Sequence, residues 1–281
     1  MLFFTKFYIP KYANFFMSNL KFTAYYSIEV IMREVALAAR TKNREILSFL
    51  HINIQPKLNF CKNIITNYSD NNFAYLLFAF DEKFSFEVEK IIRESIIEYI
   101  ESCYKIEYLK QKIKNPVADN LTFETYIKVL SVFDKSTDKN AMEKIIFFNQ
   151  TFFIDSFLEF RLLPLKKHWD NLAELSSDNL ISFSNETFVD VIRFLINTMD
   201  SNVYKVKIIC DNGSFKIYNM VNKNAEVKKI AECKDELELV SNILNSCPNY
   251  IDIYLNAQNR NQAVDFLSNI FTNRLKIYVK S

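Results

Sequence analysis

The sequence predicts an α+β protein, with a mainly α-helical body followed by a small C-terminal α/β module made of a β-hairpin and a β-α-β unit. Apolar residues recur every three to four positions from about residue 23 to residue 200, which is the period of an amphipathic helix. After residue 200 the apolar positions alternate with period two, as in strands. The pair Asn212-Gly213 lies between two such alternating runs, which is a strong hairpin signal.

In the helical body, the apolar stripe over residues 86–104 predicts one long helix, which the breaker Asn115-Pro116 ends. The same spacing predicts helices over residues 122–133, 142–163 and 186–199. Pro164 is expected to bend or end the helix that precedes it. Phe153, Phe157 and Phe160 stand at i, i+4 and i+7, so we expect them to form one core-facing stripe.

The C-terminal module follows from shorter patterns. A hairpin over residues 204–218 turns at Gly213, because a type I′ turn needs φ > 0 at both of its central positions. A helix is predicted at 235–246. It is followed by a strand at 250–255, a helix at 262–271 and a strand at 275–279, and this order predicts that the two strands form a parallel pair. The chain therefore divides into a helical N-terminal region (1–70), a helical domain (71–200) and the α/β module (201–281).

Gly213 is the only glycine among 281 residues, and this scarcity excludes several kinds of site. Phosphate-binding loops and dinucleotide-binding turns need glycine where the backbone takes φ > 0 or approaches a ligand closely. The sequence therefore contains no Walker A loop, no GxGxxG turn and no nucleophile elbow. The glycine that is present is expected to have a structural role in the hairpin.

Charge and cysteine content indicate the compartment and the class of partner. The 35 basic and 33 acidic residues leave a net charge of +2, which does not favour a nucleic acid as the partner. The five cysteines are odd in number and form no CxxC pair, so we expect inert thiols in a reducing cytoplasm. No apolar run approaches the roughly 20 residues of a membrane span, so integral membrane association is not expected. Peripheral attachment through the aromatic N-terminus is an alternative.

The candidates for chemistry are few, and each has a simpler structural interpretation. Glu186 and Asp190 stand at i, i+4 and could form an acid/base or metal pair, or they could simply share a solvated helix face. His168 could move a proton, or it could be an exposed or partly buried helix residue. Two basic clusters could contact nucleic acid or could be solvated lysines; they are Lys166-Lys167-His168-Trp169 and the hairpin residues Lys205, Lys207 and Lys216.

Several segments, in order, resemble the YtxC-like sporulation protein family over about residues 70–279. The stretch Phe-Ile-Asp-Ser-Phe-Leu-Glu-Phe-Arg-Leu at 153–162, with Trp169 and Leu172 after it, is similar to the family's aromatic F-x-F-R-L segment. The segment 185–195, the hairpin at 205–217 and the finish at 269–277 resemble the family's later helix, hairpin and helix-to-strand end. Residues 73–77 and 89–104 resemble its first long helices, whereas residues 1–70 match poorly.

The resemblance implies an intracellular protein linked to spore formation, and it implies no catalytic residue. We therefore assign no catalytic, cofactor-binding or metal-binding residue and no cofactor. The expected function is that of a non-catalytic cytoplasmic protein that binds another protein. The alternatives are a metal-dependent hydrolase whose carboxylates converge only in space and a nucleic-acid-binding protein.

Overall fold

The first part of the described chain builds a four-stranded sheet. The structure, a computed structural model, describes residues 31–113, 119–149, 151–180, 185–201, 203–211, 213–223, 226–256 and 261–280. The strands lie in the order β2-β3-β1-β4, and β3 runs antiparallel to both β1 and β2, whereas β4 joins β1 in parallel. Their bounds are Met32–Arg40 (β1), Asn63–Ser69 (β2), Phe73–Asp81 (β3) and Thr151–Phe153 (β4).

The helical prediction for this region is wrong at three strands. In the described part of residues 1–70, β1 and β2 flank a single α-helix, α1 (Arg44–Ile54), and the segment 73–77 lies in β3 rather than in a long helix. The sequence of β1, MREVALAAR, consists largely of good helix formers. Pairing along its whole length with β3 overrides that weak local preference. The predictions for residues 1–30 lie outside the described residues.

The helical body confirms most of the periodic stretches. The prediction for residues 86–104 is confirmed as α2 and a π-helical turn, called the first π turn, which leads directly into α3. The Asp119 side chain accepts a hydrogen bond from Thr122 N at 2.9 Å and so caps α4. The bounds are Ser85–Tyr99 (α2), Ile100–Tyr104 (first π turn), Lys105–Lys112 (α3), Asn120–Phe133 (α4), Lys135–Glu143 (α5) and Asn185–Thr198 (α8).

The single helix predicted over residues 142–163 is wrong, because β4 interrupts it. After β4 the chain forms a short helix α6 (Ile154–Ser156), a second π turn (Phe157–Arg161) and helix α7 (Leu163–Leu180). Pro164 lies in the first turn of α7, where its missing N–H has no intrahelical partner to lose, so it opens a helix. The expected core stripe is also wrong in part: Phe157 is buried, but Phe153 is 41% and Phe160 is 67% exposed. The strand and the π turn change the helical register on which that stripe depended.

The C-terminal module agrees with its prediction and adds one strand. Its sheet has the order β7-β6-β5-β8-β9, with an antiparallel hairpin β5-β6 and parallel pairs β5-β8 and β8-β9. Strand β7 was not predicted. The bounds are Val203–Asp211 (β5), Ser214–Met220 (β6), Lys228–Cys233 (β7), Glu236–Ser246 (α9), Pro248–Asn256 (β8), Gln262–Ile270 (α10) and Leu275–Lys280 (β9).

Buried side chains connect the helical body with both sheets. One apolar core runs from Val35 in β1 to Phe271 after α10. Helix α4 packs against both α8 and α9, and the Tyr126 ring meets Phe188 edge-on at 5.5 Å between centroids. The first sheet combines strands from two of the predicted regions, because β1 and β2 lie before residue 70 and β3 and β4 lie after it. The three-part division of the chain itself stays a prediction.

The hairpin turn gives a first testable prediction. Gly213 has φ +75°, and a Cβ added there would meet no atom within 4 Å, so only backbone strain opposes a side chain. We expect Gly213→Ala to lower the free energy of unfolding by about 1–2 kcal/mol. Gly213→Asn should cost less, because Asn tolerates the left-handed region better. Urea denaturation measures both, and equal costs for Ala and Asn would contradict this explanation.

Candidate functional site

The cysteines do not have the environment of reactive thiols. All five are free, and Cys210, Cys233 and Cys247 are buried. Burial raises the pKa of both Cys210 and Cys233 to about 11, and it also raises the pKa of Cys247. Since the thiolate is the nucleophile, these three groups are unreactive near neutral pH, as expected from their spacing.

The acidic pair at Glu186 and Asp190 faces solvent. Asp190 is 67% exposed and pairs with Arg193 one helical turn later at 2.6 Å, and Glu186 is also exposed. Among the described residues, no group of three or more His, Cys, Asp or Glu side chains could hold a metal ion. The pair therefore forms part of a solvated face of α8.

His168 and the lysines before it separate into different environments. His168 Nε2 lies 3.0 Å from Asp134 Oδ2, and its side chain is 44% exposed, which confirms a partly exposed helix residue. Lys166 lies over the rings of Tyr104 and Tyr108, at 5.4 and 5.8 Å from their centroids. Trp169 is fully buried. Residues of this cluster therefore lie on two sides of α7: Trp169 faces the protein interior, and His168 is partly exposed to solvent.

A buried ion pair lies beneath the first π turn. Lys105 and Asp138 are fully buried, and Lys105 Nζ is 2.7 Å from Asp138 Oδ2. The same oxygen accepts the indole N–H of Trp169 at 2.9 Å, while Lys105 also donates to Ser131 O at 3.1 Å. Asp138 Oδ1 has no hydrogen-bond partner among the described residues. One carboxylate therefore joins α3, α5 and α7, and its side chain has no contact with solvent.

Two more ionisable groups near the first π turn are perturbed by burial. Burial raises the pKa of Glu101, although its carboxylate lies 3.5 Å from Lys135 Nζ. Burial, together with the charge of Lys135, lowers the pKa of Lys128 to about 8. A perturbed group in a cleft can indicate a functional site.

Lys128 does line a groove where α9 meets α3 and α4. The groove has a volume of about 240 Å³, and Ile106, Leu237 and Val240 form its apolar wall. Thr125 also lines it, and its buried hydroxyl has no hydrogen-bond partner in the described chain. The groove is small for a ligand site, since such pockets span roughly 300–1,000 Å³.

The outer surface of the first sheet carries a continuous row of rings, which we call the aromatic face: Tyr68, Tyr75, Phe73 and Phe153. Helix α1 packs on the opposite surface, where Leu76 and other alternate residues are buried. Ring centroids are 5.9 Å apart for Tyr68–Tyr75, 6.3 Å for Phe73–Tyr75 and 5.6 Å for Phe73–Phe153. The row therefore crosses the sheet from β2 to β4.

The aromatic face is accessible at both of its ends. Tyr68 is 55% and Phe153 is 41% exposed, and Ile64, on the same side of β2, is 46% exposed. The two central rings, Phe73 and Tyr75, are half-buried. Rings with apolar bodies and few rotatable bonds are enriched at protein interfaces. The aromatic face therefore presents apolar ring surface to solvent at both of its ends.

The hairpin lysines lie on the outer surface of the second sheet, but carboxylates accompany them. Lys205 Nζ is 2.8 Å from Asp252 Oδ2, and Lys216 Nζ is 3.6 Å from Asp211 Oδ2. Lys207 Nζ lies 4.6 Å from the centroid of the Tyr254 ring. The surface is therefore mixed in charge, with a small excess of lysine.

Comparison with known proteins gives the family. A model described as the YtxC-like family matches residues 84–276, which is more than half of the chain. The chain belongs to the YtxC-like family. The resemblance seen in the ordered sequence segments is thereby confirmed. The search of curated proteins found no match, and neither did the search of solved structures.

The family match covers only one part of the aromatic face. Its range begins at Phe84, after β1, β2 and β3, but it includes β4 and the segment 153–162. In the same segment, Asp155 accepts a hydrogen bond from Arg40 N at 2.6 Å, and Glu159 pairs with the Arg40 guanidinium at 3.0 Å. The segment that resembles the family therefore anchors β4 to β1. Among the described residues, no helix is long and apolar enough to cross a bilayer.

Sequence reasoning missed the aromatic face because it assigned β3 to a helix. The available signal was the short uncharged run of residues 73–80, rich in aromatic residues, which is compatible with a strand as well as with a buried helix. In the structure, positions 74, 76, 78 and 80 are buried and the intervening ones are partly exposed. The sequence contains no local pattern that predicts the interior ion pair, since Lys105 and Asp138 stand 33 positions apart.

The interior ion pair gives the second testable prediction. Asp138→Asn leaves the Lys105 ammonium buried without a counter-charge, so we expect it to lower the free energy of unfolding by about 3–5 kcal/mol. Trp169→Phe removes one hydrogen bond to a charged group and should cost about 1.5–3 kcal/mol. Asp190→Asn, in a solvated pair, is the matched control and should change stability by about 0.5 kcal/mol or less. Urea titrations at pH 7 compare the three, and similar costs for the two Asp→Asn variants would contradict a buried role.

Lys128 gives the third prediction, which concerns pH. Its pKa falls from 10.5 when unfolded to about 8 when folded, so folding is opposed by desolvation of the ammonium below pH 8. This opposition disappears as pH rises from about 8 to above 10. We expect Lys128→Met to stabilise the protein by about 1–3 kcal/mol at pH 7 and by much less at pH 10. The exposed Lys167→Met is the control, and a gain for Lys128→Met that does not depend on pH would exclude a titrating amine as its cause.

Proposed function

We propose that this protein acts in spore formation as a non-catalytic cytoplasmic component that binds another protein through the aromatic face. Membership of the YtxC-like family supports the link to spore formation. Five free cysteines, three of them buried with a raised pKa, suit a reducing cytoplasm. The aromatic face is the single observation that supports binding.

The composition of the aromatic face favours a protein partner over a phosphate-rich one. Its rings lie on neighbouring strands: Ala38 of β1 is fully buried and is the register partner of both Tyr75 and Phe153. The exposed rings at the two ends of the row, Tyr68 and Phe153, can contact the apolar face of a helix or a strand. At the β4 end of the face, the positive charge of Arg40 is paired with Glu159. This ion pair leaves little net positive charge at that end for a phosphate group to contact.

The rings are held in place before a partner arrives. Tyr68 and Tyr75 are cross-strand neighbours in β2 and β3, so the backbone pairing fixes their separation. The backbone position of Phe153 is constrained by Asp155, which lies two residues later. The Asp155 carboxylate accepts hydrogen bonds from Arg40 N and from the Asn43 amide. Binding to such a surface costs little side-chain entropy.

The fourth prediction tests this function in a spore-forming host that carries the gene deletion. We expect the double variant Tyr68→Ser/Phe153→Ser to restore heat-resistant spores poorly, because two aromatic anchors together contribute about tenfold or more to affinity. The double variant Phe86→Ser/Phe194→Ser is the matched control, since these phenylalanines are 75% and 66% exposed on α2 and α8. Counts of heat-resistant colonies measure the effect.

Two checks accompany this experiment. Immunoblots and thermal melts of both double variants establish that each protein accumulates and folds. Full restoration of spores by Tyr68→Ser/Phe153→Ser would exclude the aromatic face as the binding surface. Normal spore counts in the deletion strain itself would exclude the role in spore formation.

A further inference from the structure

In the part of the chain that the structure describes, strand β9 has no neighbour on its outer side and forms an edge of the second sheet. It lies last in the order β7-β6-β5-β8-β9 and is paired in parallel with β8. The amide of Ile251 donates to Arg274 O at 2.7 Å, and Ile251 is the register partner of Leu275. In a parallel ladder, a residue bonds to the two residues that flank its register partner. Arg274 and Lys276 therefore direct their backbone groups toward β8. The backbone N–H and C=O groups of Leu275, Ile277 and Val279 therefore point away from the sheet.

The inward surface of β9 is also incompletely covered. Leu275, Ile277 and Val279 project to the side on which Ile251 and Ile253 of β8 are buried. Nevertheless Val279 is 58% exposed. One more strand along this edge would cover Val279 and would satisfy the outward backbone groups.

The other surface of the edge carries an excess of positive charge. Lys276 is the register partner of Asp252, but that carboxylate already accepts a hydrogen bond from Lys205 at 2.8 Å. Lys207 lies over the Tyr254 ring, and Tyr254 stacks on Tyr278 at 4.8 Å with an angle of 11° between the rings. Lys205, Lys207 and Lys276 thus lie near Asp252, and of these three lysines only Lys205 is shown paired with its carboxylate.

We propose that the β9 edge accepts a β-strand from a partner protein, with acidic side chains on the Lys276 surface alternating with apolar side chains on the Val279 surface. This inference rests on the proposed function, which is binding of another protein. It adds the position and the chemistry of a second contact. Strand addition gives affinity through backbone hydrogen bonds and specificity through alternate side chains.

A second copy of this chain is a poor occupant of the edge. Pairing of β9 with another β9 would bring lysine-bearing surfaces together, and like charges that face each other across strands are destabilising. A nucleic acid is also disfavoured. The Tyr254 ring already contacts Lys207 and Tyr278, and Asp252 forms an ion pair with Lys205. The opposite edge, β7, is less suitable because a bulge at Ile217/Tyr218 disturbs its pairing with β6.

The experiment uses the full chain and three fluorescein-labelled probes. They are an acidic heptapeptide that alternates Glu with Val or Ile, the same peptide with Lys in place of Glu, and an oligouridylate of ten nucleotides. Anisotropy gives the affinities, and amide hydrogen exchange followed by NMR locates the contact. We expect the acidic peptide alone to bind, and we expect the amides of Leu275, Ile277 and Val279 to become protected.

Two pairs of variants separate the backbone contribution from the charge contribution. Val279→Pro removes one outward N–H and should weaken binding about three- to tenfold relative to Val279→Ala, which keeps that N–H. Lys276→Glu should weaken it to a similar degree, whereas Lys228→Glu on the β7 edge should not. Thermal melts check that each variant is folded.

Several results would overturn the proposal. They are equal binding of the basic peptide, binding of the oligouridylate in place of the acidic peptide, protection of amides outside β9, and no binding of the acidic peptide at millimolar concentration. None of these results bears on the aromatic face, which lies on the other sheet. Spore counts for the Tyr68 and Phe153 variants test that face separately.

Discussion

The position of the helices in this protein depends on one buried charge pair. Lys105 and Asp138 have no exposed surface, so the free energy of removing both charges from water must be offset within the helical body. Asp138 Oδ2 contributes to this offset by accepting hydrogen bonds from both the Lys105 ammonium and the Trp169 indole N–H. A shift of α3, α5 or α7 would break at least one of these bonds. The three helices are therefore fixed relative to one another.

The consequences of this pair extend to the surface of the first sheet. With Trp169 held against Asp138, the start of α7 is fixed, and so is the segment 153–162 that leads into it. That segment places Asp155 against the backbone of Arg40 and adds β4 to the edge of β1. Phe153 then completes the row of rings that begins at Tyr68. The interior ion pair is thus connected, through α7 and the segment 153–162, with the position of Phe153 on the aromatic face.

The sequence was informative where the local pattern and the tertiary structure agree. Helices α4 and α8 follow their apolar spacing, and the C-terminal hairpin turns at Gly213, the residue best suited to φ +75°. It was misleading where pairing over long distances decides the structure. MREVALAAR favours a helix by composition, yet it forms a strand whose partners lie about 40 and 115 residues further on. Strand β4 has only three residues, too few for any periodicity to show.

The two π turns explain why the environments of Lys105 and Phe160 were harder to predict than the helices around them. Each inserts an i→i+5 turn between helices, so the side chains after it no longer follow the spacing that precedes it. After the first turn, Lys105 points to the interior, a position that its type rarely takes. Within the second, Phe160 points to solvent, although its spacing from Phe157 suggests a shared apolar face. The same local change therefore places a charge inside and a ring outside, and neither exchange can be recognised from hydrophobic periodicity.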